Sequence, residues 1–135
     1  IVPNTDAELV ATRFARRVYT VAWVYGVLSL VPGLFTESRF GVMFPPALNH
    51  PEFYYGFYGL ALVWQIAFYV IARDPARLVP LMPVTVLEKA AWVVTVGYLV
   101  SVGRTVNAML VFAAIDALLG LFFIIAHVRL SRYDR

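Results

Sequence analysis

No cysteine occurs among the 135 residues, which excludes disulfides, thiolate metal sites and cysteine nucleophiles. Charge is scarce as well. Asp, Glu, Lys and Arg together make up 14% of the chain, where a soluble domain carries about 25%. The same scarcity excludes disorder, which needs high charge and low hydrophobicity. There is no Gly-rich phosphate loop, no zinc or paired-histidine spacing and no Ser nucleophile elbow. No metal site is therefore expected, and no stretch outside the apolar runs is long enough to bind nucleic acid as a domain.

What remains is apolar. Hydrophobic residues account for 61% of the chain, and the mean hydropathy is +0.77. A helix crossing a bilayer needs about 20 mostly apolar residues. Four runs qualify, at about 18–36, 53–72, 84–102 and 105–126. The first two carry no charge. The third is interrupted by Glu88 and Lys89, and the fourth by Asp116. Backbone polar groups in lipid must be satisfied within the segment or in a closed barrel. The runs show no two-residue alternation and are about twice the length of barrel strands. The sequence thus predicts an all-α integral membrane protein, an antiparallel four-helix bundle in one domain that fills 1–135. The first run reads as a span rather than a secretory signal, because its apolar core exceeds the usual 7–15 residues and no small-x-small cleavage pattern follows.

The arginines set an orientation. Arg13, Arg16, Arg17, Arg73, Arg77, Arg129, Arg132 and Arg135 fall on one side of four crossings, and only Arg39 and Arg104 on the other. The positive-inside bias then places both termini in the cytoplasm. His50 and His127 lie near opposite faces, so haem ligation by this pair is excluded.

The connections carry their own expectations. Residues 4–17 read as a short interfacial helix, with Thr5 and Glu8 as a capping box and Leu9, Val10 and Phe14 opposed to Arg13, Arg16 and Arg17. The alternative is a first helix that extends into water. In Arg73-Asp74-Pro75-Ala76-Arg77, Asp74 is expected to cap a new helix with Pro75 at its first position, and the basic pair suits anionic headgroups. The one long outer loop, 37–52, is apolar and predicted to fold back over the bundle mouth. There His50 and Glu52 could form an acid–base or ligand pair. Alternatively, Pro51 starts the second span and Glu52 favours its positive end. Phe53, Tyr54, Tyr55, Phe57 and Tyr58 form an aromatic belt.

Polar residues inside membrane spans face the bundle and mark sites or locks. At 100° per residue, Asp116 shares a face with Ala113 and Gly120 and should point inward. Glu88 and Lys89 cannot both do so. Lys89 continues into Val93, Val96 and Val100, a stripe suited to lipid from which it can snorkel, whereas Glu88 continues into Trp92, Thr95 and Leu99 and is the inward choice. The second span contributes Tyr58, Ala61, Gln65, Phe68 and Ala72 on one side, and the first contributes Ala22, Tyr25, Ser29 and Gly33. Measured from the inner boundary, Glu88 lies about 6 Å deep, Tyr25 and Gln65 about 10 Å and Asp116 about 15 Å. This convergence predicts a polar pocket lined by Tyr25, Ser29, Gln65, Glu88, Trp92 and Asp116. Desolvation and mutual repulsion favour a proton on one of the two acids. Such an acid could donate a hydrogen bond or shuttle a proton, which makes Glu88 and Asp116 the catalytic candidates. The bland alternative is a hydrogen bond locking Asp116 to Gln65 or Tyr25.

The size, the four spans, Gly26, Pro32-Gly33, Gly56 and Gly59, with the segments His50-Pro51-Glu52-Phe53-Tyr54-Tyr55-Gly56-Phe57 and Ile71-Ala72-Arg73-Asp74-Pro75, resemble the small bacterial four-helix membrane proteins of the DoxX-like kind. That resemblance implies a bacterial inner membrane and an accessory role beside quinone-associated redox systems; the sequence itself implies no cofactor, and a lipid or quinone could be the small molecule. A more distant similarity is to EXPERA-type sterol isomerases and binders, whose full motif is not present. Two functions follow. The first is a non-catalytic, lipophile-binding component or accessory subunit, partnered by membrane lipids and by other membrane subunits or further copies of itself. The alternative is a membrane-embedded enzyme acting on an isoprenoid, sterol or quinone-like substrate by proton transfer from Glu88 and Asp116. A proton-coupled transporter, which would have to oligomerise, comes third.

Overall fold

A computed structural model describes residues 5–133, and every regular element among them is helical. Four helices are long: α1 (Asp6–Leu30), α3 (Pro51–Arg73), α4 (Met82–Ser101) and α5 (Met109–Ser131). A short helix, α2 (Glu37–Met43), lies between the first two. Single 3₁₀ turns at Pro32–Phe35 and Val79–Leu81 extend α1 and introduce α4. With those turns included, the four stretches Asp6–Phe35, Pro51–Arg73, Val79–Ser101 and Met109–Ser131 are long and apolar enough to cross a membrane.

The separate N-terminal interfacial helix is not formed: residues 6–30 are one unbroken helix. Thr5 caps it as expected, its hydroxyl accepting the Glu8 amide at 3.0 Å, but nothing between there and Pro32 breaks the backbone ladder. Residue 4 of that reading lies outside the described residues. Proline, lacking its amide hydrogen, is tolerated at the start of a turn and not inside one. The chain accordingly tightens to 3₁₀ at Pro32. The fourth span begins later than the apolar run suggested, at Met109 rather than 105, and runs through Ser131. Gly103, at φ 75°, makes the reversal that L side chains resist, and the Arg104 amide donates to the Leu99 carbonyl at 2.8 Å.

Two loop readings also change. Asp74 closes α3 rather than opening a helix, because the chain passes through a turn before the 3₁₀ segment begins at Val79. Within 37–52 the sequence folds α2, whose Phe40 meets Tyr54 (ring centroids 5.4 Å), while Phe44 meets Phe112 of α5 (6.2 Å). The long connection does fold back on the bundle, as a helix and turn.

Packing runs α3 against α1, α1 against α5, and α5 against α4. Alanines 11, 15 and 22 line the buried face of α1, and small residues let helix backbones approach closely. At the centre, Tyr19 stacks flat on Phe123 (4.4 Å) and both touch Phe68. The outside is as apolar as the inside. Leu28, Leu60, Leu87 and Val94 are each about 70% exposed, which water would penalise and acyl chains would not.

Candidate functional site

The site is built where α4 crosses α5. On α4, Met82, Thr85, Lys89 and Val96 are the buried face, a spacing of three, four and seven residues that keeps one side of a helix. Lys89 therefore points inward, with its side chain 6% exposed. Its ammonium lies 3.3 Å from Asp116 Oδ1 and 3.6 Å from Glu88 Oε2, and 5.1 Å from the centroid of the Phe68 ring of α3. This corrects the lipid-facing reading of Lys89. The valine stripe that suggested it is an interior stripe at Val96, which packs with Met109 and Ala113. Valine distinguishes poorly between a bundle interior and lipid, because both are apolar.

Gly120 makes the crossing fit. A methyl group built there would stand 3.3 Å from Lys89 Cβ, closer than most such contacts, so glycine is what admits the lysine stem between the helices. Below this layer the Tyr19 hydroxyl and Thr85 share a hydrogen bond of 2.8 Å, and Thr85 donates to the Met82 carbonyl at 2.7 Å. Neither Tyr19 nor Thr85 stood out in the sequence. The available signal was their register, since Thr85 precedes Lys89 by four and Tyr19 follows Ala15 by four.

Glu88 and Asp116 are brought together as expected, each side chain 18% exposed. Glu88 Oε2, although near the lysine, accepts no hydrogen bond among the described residues. Fully ionised, one ammonium against two carboxylates leaves one negative charge in excess, and a single proton on either acid makes the cluster neutral. Tyr25 is half-buried on α1. Gln65 is buried one turn from Phe68. Its amide donates to the Ala61 carbonyl at 2.8 Å, and its Oε1 is unpartnered among the described residues. The carboxamide lies against Gly26, where any Cβ would overlap it. Trp92 sits one turn from Glu88 against Phe57 of α3, ring centroids 5.0 Å apart. Lys89, Glu88 and Asp116 are the members brought into direct contact, and Ser29 turns back on its own helix. It is exposed, and its hydroxyl donates back to the Tyr25 carbonyl at 2.8 Å, satisfied within its own helix.

In place of the alternative lock between Asp116 and Gln65 or Tyr25, Asp116 accepts a hydrogen bond from Lys89. At the other end, His50 Nδ1 and Glu52 Oε1 are 3.1 Å apart, with side chains 66% and 65% exposed. Pro51 is the first residue of α3, as the structural reading of that segment had it. His127 lies within α5, its Nδ1 buried and unpartnered among the described residues. No cluster of three metal-ligating side chains occurs among the described residues. No protein-family model, no curated protein and no solved structure matches the chain.

Proposed function

We propose that the chain is a non-catalytic component of a bacterial inner membrane, an antiparallel bundle with both termini in the cytoplasm, which holds a lipophilic molecule and serves as an accessory subunit. The observation that carries this reading is the contrast between its surfaces. Large apolar side chains stand exposed on all four long helices, while the principal charged cluster, Lys89 with Glu88 and Asp116, is drawn inward at the α4–α5 crossing. A buried cation paired with two acids is costly to assemble and tends to be kept for specificity or function. Gln65 Oε1, which accepts no hydrogen bond among the described residues, favours a ligand that donates one. The resemblance to DoxX-like proteins points the same way, towards an accessory role beside quinone-associated systems.

Native mass spectrometry of gently extracted protein tests the reading. An apolar molecule or partner chain should co-purify, and Glu88→Gln should reduce its retention while leaving the fold intact. A bare chain, with Glu88→Gln and Asp116→Asn both indistinguishable from the parent, would reduce the cluster to a packing device.

A second reading, proton transfer to an isoprenoid, sterol or quinone-like substrate, is favoured by two acids sharing one ammonium, an arrangement with room for a proton on either. A retained lipophile that gains deuterium from solvent with the parent chain, and not with Glu88→Gln, would establish it over the first.

A further inference from the structure

The arginines near the two ends of the chain are not spread evenly around the bundle. Two adjoining hollows, of about 380 and 290 Å³, lie between the first turns of α1 and the last turns of α5. Val10 and Arg129 line both, so they form one groove. Arg13 and Arg17 stand on the α1 side and Arg132 on the α5 side, and among the described residues the single acidic group lining the groove is Asp6. None of the four arginines forms an ion pair with a described residue. Arg129 is instead laid over the Phe14 ring, 4.7 Å from its centroid, and Phe14 in turn meets Phe122 (6.4 Å).

This arrangement is polar at one end and apolar at the other. Val21 and Leu28 continue the Phe14 face of α1, and Leu118 and Phe122 continue the Arg129 face of α5. All four are exposed. A cationic rim on an aromatic floor, opening onto an exposed apolar stripe, matches the outline of a lipid. Guanidinium groups take phosphate oxygens in paired hydrogen bonds, and acyl chains would follow the stripe.

We propose that this groove seats the headgroup of one acidic phospholipid, its phosphate held by Arg129 and Arg132 from one side and by Arg13 and Arg17 from the other. The proposal rests on the chain spanning a membrane. Its source of phosphate is a membrane lipid and not a soluble metabolite, because the apolar stripe begins where the arginines end.

The test uses the full chain in nanodiscs of phosphatidylcholine with a minor fraction of phosphatidylglycerol. After release, native mass spectrometry counts the lipids retained. One phosphatidylglycerol per chain should be held in preference to phosphatidylcholine, and R129Q/R132Q should lower that preference at least about tenfold. R129K/R132K should keep most of it. R39Q/R104Q, which removes the same charge elsewhere, should leave it unchanged. Glycerol phosphate without acyl chains should not compete.

No preference in the parent chain would overturn the proposal. An equal loss in R39Q/R104Q, or full competition by glycerol phosphate, would also overturn it. Flotation of the parent chain with phosphatidylcholine vesicles separates the two levels. A chain that floats but shows no preference loses the seat alone, whereas a chain that does not float loses the spanning reading beneath it.

Discussion

Lys89 decides the chemistry of the interior. Removing a buried cation from between two carboxylates leaves charge uncompensated in a medium of low dielectric, which costs about 3–5 kcal/mol in comparable buried pairs. Lys89→Met should therefore destabilise the bundle strongly, and Glu88→Gln/Lys89→Met/Asp116→Asn should recover most of the loss, since no charge is then left unpaired. Unfolding in mixed micelles by denaturing-detergent titration reads both. A Lys89→Met variant as stable as the parent would mean that the ammonium contributes nothing to the crossing. In the sequence, Glu88 and Asp116 were legible as inward groups because of their polarity. Lys89 was not, because its own helix offered a second, equally apolar direction, and the choice depended on what α5 presented opposite it.

At the scale of the helix, α4 and α5 are held by the fit of a long side chain against a residue without one. Gly120 meets the Lys89 stem, whereas Gly97, on α4, faces open space. Overpacking a tight contact costs about 1–3 kcal/mol. Gly120→Leu should lower the thermal midpoint by separating the pair, while Gly97→Leu should leave it close to the parent. Equal effects from the two would remove the close-packed crossing. The same scale explains the first helix. A capping box and an arginine-rich turn are compatible both with a helix lying on the membrane and with one standing through it. Local signals locate the start at Thr5, but only the packing of Ala11 and Ala15 against the bundle makes the early turns part of the long helix.

For the molecule as a whole, the absence of cysteine is an experimental advantage. Single thiols introduced as Ser131→Cys, Ser38→Cys and Asn49→Cys all replace exposed residues. If the termini are cytoplasmic, a membrane-impermeant maleimide applied outside intact cells should label the second and third, and the first only after the membrane is opened. Labelling of Ser131→Cys from outside would reverse the orientation drawn from the arginines. The groove at the ends of α1 and α5 belongs to this scale too. Its arginines are visible in the sequence as a charge bias, but their gathering into one seat depends on the early turns of α1 and the late turns of α5, more than a hundred residues apart in the chain, lying side by side.

Hydrophobic run length and charge placement were enough to determine four membrane-length helices, because lipid leaves the backbone few other ways to satisfy its hydrogen bonds. Helix periodicity was enough to turn Gln65, Phe68 and Ala72 to one side and Asp116 and Gly120 to another. Tertiary structure alone decided which neighbour each polar side met: Lys89 for the two acids, Gly26 for Gln65, Thr85 for Tyr19. In an apolar solvent every face of a helix is nearly equally acceptable to its surroundings, so the inward direction of a residue is set by the shape and charge of the helix opposite, and that is not written in the residue's own segment.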